Sequence, residues 1–186
     1  MRILIISGSA RQESLNTRLA RVAAAVRPAD TVTIYDGLTR VPFYDGDLES
    51  TGVPAPVLEL RNDVAEADAL VFVTPEYNGS VPGMLANSVD WLSRPPHQSV
   101  LRQKLVVVLS ASPSRYGGIR AAEHLRTVLG AIGADVAPIG VSVARAHERL
   151  LRDGPDPRLE DEVDHVLKAV LGGTQTPTSV APAQAA

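Results

Sequence analysis

The chain has no cysteine and few aromatic residues: one Trp, four Tyr and two Phe among 186 positions. Without cysteine there is no disulfide framework, no thiolate nucleophile and no Fe–S ligand set, so any redox chemistry must come from a bound cofactor. No run of like charge and no basic face accompany the formal net charge of -3, which excludes nucleic acid and an anionic membrane surface as natural partners. No apolar stretch approaches the ~20 residues that span a bilayer. The amino terminus enters a strand at residue 2 without a cleavable leader, and a cytoplasmic protein is the expectation. Two nucleotide signatures are also missing. The first turn lacks the glycines of Gly-x-Gly-x-x-Gly and the lysine of a P-loop, which disfavours a dinucleotide cleft and P-loop hydrolysis. His97, His124, His147 and His165 are scattered without metal-ligand spacing, so no metal site is expected.

What is present is a βα alternation in a chain that is 45% hydrophobic, long enough for one core and too short for two ordinary domains. Ile3 to Ile6 form an apolar run suited to a strand buried on both faces. Leu15, Leu19, Val22 and Val26 recur at helical spacing, and Thr31 to Tyr35 read as a second strand. A helix over 57–66, a strand over 69–73, a helix opened by Pro82 with Met84, Leu85, Val89 and Leu92 inward, and a strand over 105–109 follow. Next come a helix facing inward through Ile119, Ala122, Leu129 and Ile132, a fifth strand over 136–143 interrupted at Pro138, and a helix burying Leu159, Val163, Val166, Leu167 and Val170. Residues 36–56 are rich in Gly, Pro and Asp and resist regular structure; a loop this long suggests function. Residues 172–186 are too poor in large apolar groups to order, leaving 1–171 as the folded domain. The pattern predicts an α/β three-layer sandwich with a five-stranded parallel sheet in the flavodoxin-like order 2-1-3-4-5, and ligands at the switch point between strands 1 and 3.

Two segments follow those strands. Ser7-Gly-Ser-Ala-Arg-Gln-Glu-Ser-Leu-Asn-Thr17 places Ser9, Arg11, Ser14, Asn16 and Thr17 where a helix begins. Hydroxyl and amide donors, free backbone N–H groups and the helix dipole suit a phosphate monoester, and Arg11 adds a planar donor fork. The simpler alternative makes Ser14 a helix cap. Thr74-Pro-Glu-Tyr-Asn-Gly-Ser-Val-Pro82 is a turn-rich platform with an aromatic side chain, suited to the edge and face of a flat ligand.

Gly8-Ser-Ala-Arg-Gln-Glu-Ser-Leu-Asn16, Pro75-Glu-Tyr-Asn-Gly-Ser-Val-Pro-Gly83 and Asn87-Ser-Val-Asp-Trp-Leu-Ser-Arg94 resemble the NAD(P)H-dependent FMN reductase family of flavodoxin-like enzymes, a likeness that runs to about residue 171. The resemblance implies bound FMN, with Ser9, Arg11, Ser14, Leu15 and Asn16 around its phosphate and ribityl chain, and Pro75, Glu76, Tyr77 and Asn78 bordering the isoalloxazine. It places Ser112 and Gly117 on the far side of the pocket, with Ser114 standing where the family commonly has glycine. It implies NADH or NADPH as co-substrate and a small acceptor such as a quinone, azo compound, metal oxyanion or flavin. Ping-pong hydride transfer would need no catalytic side chain, and a homodimer or homotetramer is implied. The alternatives are a one-electron carrier docking on partner proteins, which the modest charge disfavours, and a non-catalytic phosphate-binding domain. Trp91 reads as core or subunit interface, Tyr44 as a loop anchor or a substrate neighbour, and nothing in the sequence places Asp36 beside Asp45.

Overall fold

The computed structural model describes residues 1–151 and 156–172. Its elements, in chain order, are β1 (Arg2–Ser7), α1 (Leu15–Ala25), β2 (Thr31–Tyr35), α2 (Gly46–Thr51), α3 (Ala55–Glu66), β3 (Ala69–Thr74) and α4 (Gly83–Leu92), then β4 (Leu105–Ala111), α5 (Ile119–Ile132), β5 (Asp135–Val136), β6 (Ser142–Val143), α6 (Ala146–Leu150) and α7 (Pro157–Leu171). Every strand pairing is parallel, in the order β2-β1-β3-β4-β5, with β6 also on β4. The fold is the flavodoxin-like three-layer sandwich that the alternation predicts. The proposed disordered tail lies, from residue 173 onward, outside the described residues.

The apolar runs of β1 and β3 have no polar face because each side of the sheet carries helices. Leu4, Ile6, Leu70 and Phe72 pack toward α3, α4 and α5, while Ile3, Ile5, Val71 and Val73 pack toward α1 and α7. A fully buried side chain of this size contributes about 1.5–3 kcal/mol, so the two layers account for most of the driving force. Strand β1 is thereby held at the centre, and its carboxyl end presents the first loop.

Four details differ from expectation. The buried face of α1 is Asn16, Leu19, Ala20 and Ala23; Leu15, Val22 and Val26 flank it, because Asn16 turns inward to a backbone partner. Met84 is only partly buried at the edge of the α4 layer, and Ile119 at the start of α5 is 40% exposed. The fifth strand is split into β5 and β6, both on β4; the Ala137 N–H and the Val141 carbonyl still bond β4, and residues 138–140 lie between them outside the strands.

The fourth is the 36–56 segment, which holds a 3₁₀ turn (Leu38–Arg40) and α2, whose first N–H groups are capped by Asp45 accepting from the Asp47 N–H. The segment is pinned to α4. Asn87 accepts from the Tyr44 N–H at 2.7 Å and donates to the Pro42 carbonyl at 2.9 Å, and the Trp91 indole donates to the same carbonyl at 2.8 Å. Tyr44 packs edge-on against Trp91 at 5.0 Å and donates its hydroxyl to Glu49, which Arg94 also reaches at 3.0 Å. Tyr44 is thus an anchor and Trp91 a core residue, while Phe43 between the pinned residues is 83% exposed. Burial acts to raise the Glu49 carboxyl, but hydrogen bonds from Arg94 and Tyr44 and the charges of Arg94 and Arg61 outweigh it and hold Glu49 below its ordinary range.

Candidate functional site

The first loop leaves β1 with the Gly8 N–H donating to the Val73 carbonyl of β3, which fixes the loop's origin at the sheet's switch point. Ser14 ends the loop as the cap of α1: its Oγ accepts from the Thr17 N–H at 2.9 Å and lies 2.9 Å from the Thr17 hydroxyl. Thr17 in turn donates to the Arg11 carbonyl at 3.0 Å, closing the loop on itself. Asn16 is also committed inside the protein. Its Nδ2 donates to the Ala111 carbonyl and its Oδ1 accepts from the Ala111 N–H, both at 3.0 Å. Ser14 and Asn16, expected around a phosphate, are thus occupied in shaping the loop, because both point into the fold. Among the described residues the N–H groups of Leu15 and Asn16 in the first helical turn have no partner, and Ser9 Oγ accepts only the Arg11 N–H, at 3.4 Å, which leaves these groups and the Arg11 side chain open to a ligand.

The charges are sorted the same way. Glu13 pairs with Arg18 at 2.6 Å and Arg21 at 3.4 Å, whereas among the described residues the Arg11 guanidinium has no carboxylate partner. Beside Arg11 a cavity of about 260 Å³ opens over the ends of β1 and β2. Ser7, Ser9, Arg11 and Thr17 line it on one side and Tyr35, Asp36 and Met84 on the other. Among the described residues the Ser7 hydroxyl is buried without a partner, and burial pushes the Tyr35 phenol above its ordinary range, opposed by the neighbouring Arg40 guanidinium. Neither residue stood out in the sequence; the signal available was a polar residue closing each apolar strand.

The second loop departs from β3. Pro75 is buried, and Tyr77 and Ser80 exchange backbone hydrogen bonds at 3.1 and 3.0 Å across Asn78 and Gly79. Both central residues have positive φ, 54° and 75°, the geometry of a type I′ turn, which is why Asn-Gly stands there. The turn holds Tyr77 52% exposed at the surface. It is braced from α5, where His124 Nδ1 lies 2.9 Å from the Ser80 hydroxyl. Among the described residues, one buried oxygen of Glu76, Oε2, has no partner.

The third loop closes in from β4. Gly117 has a φ of 64°, and a Cβ there would lie 2.7 Å from the Ser142 backbone, so only glycine fits. Ser110 Oγ donates to the Gly117 carbonyl at 2.8 Å. Ser114 is a hydrogen-bond node: its Oγ accepts from the Tyr116 N–H and from the Ser112 hydroxyl, each at 3.2 Å, and its carbonyl accepts from the Arg145 N–H. Ser112 is therefore spent within the loop. The neighbouring Gly118 faces Glu76, whose Cβ would be 3.7 Å from a side chain placed there. The second and third loops thus meet at Glu76, and the first reaches β3 through Gly8.

These loops fit FMN on their own chemistry. An unpaired arginine beside free helix-terminal N–H groups suits a phosphate, and an orphaned carboxylate oxygen beside an exposed tyrosine suits a flat heterocycle with an N–H edge. Comparison with known proteins decides the family. Residues 1–148 match the NADPH-dependent FMN reductase family. The chain belongs to that family. This FMN reductase is 39% identical, over 94% of each chain, to an NAD(P)H-dependent FMN reductase of Pseudomonas aeruginosa. It is 40% identical to the quinone reductase of Escherichia coli K12, over 69% of each chain. Among solved structures it resembles FerB, a flavoenzyme NAD(P)H:acceptor oxidoreductase from Paracoccus denitrificans, with a TM-score of 0.80, 27% identity, and coverage of 91% of this chain and 94% of FerB. The protein is an FMN-dependent oxidoreductase that draws on NAD(P)H. No helix among the described residues is long and apolar enough to cross a membrane.

Proposed function

We propose that this FMN reductase holds the cofactor phosphate with Arg11, Ser9 and the Leu15 and Asn16 N–H groups, and borders the isoalloxazine with Pro75 to Asn78. Ser14 and Asn16 shape the first loop, and Ser112 and Gly117 hold the third loop against the second. The observation that carries this is Arg11: Glu13 pairs with Arg18 and Arg21, and among the described residues Arg11 is left without a carboxylate just before α1. A phosphate there gains a charge-assisted, fork-shaped contact together with the helix dipole. Bound FMN supplies the hydride chemistry that a cysteine-free chain lacks. The protein's own part is positioning. The type I′ turn presents Tyr77 as a wall, Glu76 offers its free oxygen to an N–H edge, and the rigid third loop limits access by water.

A nicotinamide and then an acceptor occupy the exposed face beside Tyr77 in turn, which gives ping-pong kinetics. A quinone is the acceptor we favour, because a relative 40% identical is a quinone reductase. Phe43, 83% exposed in the long loop, supports assembly of the folded domain, residues 1–171, into a homodimer or homotetramer. The reading places the enzyme in the cytoplasm, where its reductant is kept. Titrating purified protein with FMN, bleaching it anaerobically with NAD(P)H and recolouring it with a quinone tests the scheme. A protein that binds FMN but is not bleached by either nicotinamide would refute it.

A further inference from the structure

Tyr116, in the third loop, is 48% exposed, and the guanidinium carbons of Arg115 and Arg120 lie 4.7 and 5.6 Å from the centre of its ring. Arg115 also donates to the Tyr116 hydroxyl. Several other arginines are paired with carboxylates: Arg18 and Arg21 with Glu13, Arg40 with Glu59, Arg61 and Arg94 with Glu49, and Arg149 with Asp156 and Glu162. Among the described residues, Arg115 and Arg120 have no carboxylate within ion-pair distance, and Glu123, one turn further along α5, does not reach Arg120. Two cations over one aromatic ring without a protein anion form a platform suited to an aromatic ligand carrying concentrated negative charge.

The fold sets this platform beside the flavin-ring loop. Arg120 and His124 are four residues apart on one face of α5, and His124 touches Ser80 of the type I′ turn. Two residues beyond Tyr116, Gly118 faces Glu76. The platform therefore adjoins, through His124 and Gly118, the loop against which the reading above seats a nicotinamide.

We propose that Tyr116, Arg115 and Arg120 receive the 2′-phosphoadenosine end of NADPH and so discriminate NADPH from NADH. The inference rests on the reductase reading above. Adenine lies against the tyrosine–guanidinium platform, and the guanidinium forks grip the 2′-phosphate, a group that NADH lacks. The test is calorimetric titration of the FMN-loaded protein with 2′,5′-ADP and with 5′-AMP, which differ by that phosphate alone. The 2′-phosphorylated nucleotide should bind about tenfold tighter at low salt. Arg115→Ala and Arg120→Ala should each cut that ratio severalfold, the double variant should bring it near one, and Arg120→Lys, which keeps the charge without the fork, should fall between. Raised ionic strength should compress the ratio in the wild type. Equal affinity for the two nucleotides, or a preference that survives in the double variant, overturns the proposal. Anaerobic bleaching with NADPH and NADH separates the two readings. If neither bleaches the protein, the reductase reading fails, while the nucleotide titration still decides the role of the arginines.

Discussion

Asn16 offers the sharpest test of how polar residues are divided between fold and cofactor. It is 3% exposed, and its side chain bonds both the N–H and the carbonyl of Ala111. Ser110 pairs with Thr74, the last residue of β3, so the groups of Ala111 on that side lie past the end of the neighbouring strand. The Asn16 amide supplies the missing rung of the ladder. Asn16→Leu keeps the volume and strands two buried backbone groups, each costing about 1–3 kcal/mol, so a loss of about 3–4 kcal/mol is expected. At roughly 2–4 °C per kcal/mol for a domain of this size, the melting temperature of the FMN-free protein should fall by roughly 6–16 °C. Asn16→Asp, which keeps the acceptor and loses the donor, should also lower it. Differential scanning calorimetry with and without FMN separates stability from cofactor binding. An unchanged FMN-free melt together with a large loss of FMN affinity would refute the assignment and put Asn16 among the cofactor ligands.

Three other outcomes follow from the structure. Arg11→Ala should weaken FMN binding by about tenfold, read by quenching of flavin fluorescence, with little change in melting, because the side chain has no internal partner; unaltered affinity would remove Arg11 from the site. Gly117→Ala places a Cβ 2.7 Å from the Ser142 backbone at a φ of 64°, so it should destabilise the protein by about 1–3 kcal/mol in urea denaturation; a neutral result would show that the third loop yields. Because Glu49 is depressed in the fold, the stability it lends is present above its unfolded pKa of about 4.3 and is lost as pH falls through the lower folded value. The fluorescence of Trp91, the only tryptophan, should report release of Tyr44 over that acid window, and Glu49→Gln should abolish the step. A wild-type step that persists in the variant would assign it to another group.

The central strands were legible because burial on both faces leaves unbroken apolar runs, and Pro82 and the cap at Ser14 marked helix starts through local chemistry. The 36–56 segment was not legible, since its order comes from Asn87, Trp91 and Arg94, all roughly forty residues or more away in sequence. The split of the fifth strand was hidden for a similar reason: β5 and β6 are two residues each and exist only by pairing with β4. In the first loop the residue types pointed to an anion but could not say which side chains face it.

By itself the sequence determined a parallel α/β fold, reliance on a bound redox cofactor, and the two loops beside its switch point, because apolar periodicity, the lack of cysteine and turn chemistry are local properties. Only the tertiary structure decided which polar groups are already spent. Ser14, Asn16 and Ser112 satisfy partners within the protein, while among the described residues Arg11, Arg115 and Arg120 lack a carboxylate partner and one oxygen of Glu76 is unpartnered. A hydrogen bond needs its partner within about 3 Å, and partners ninety-five residues apart come that close only once the chain has folded.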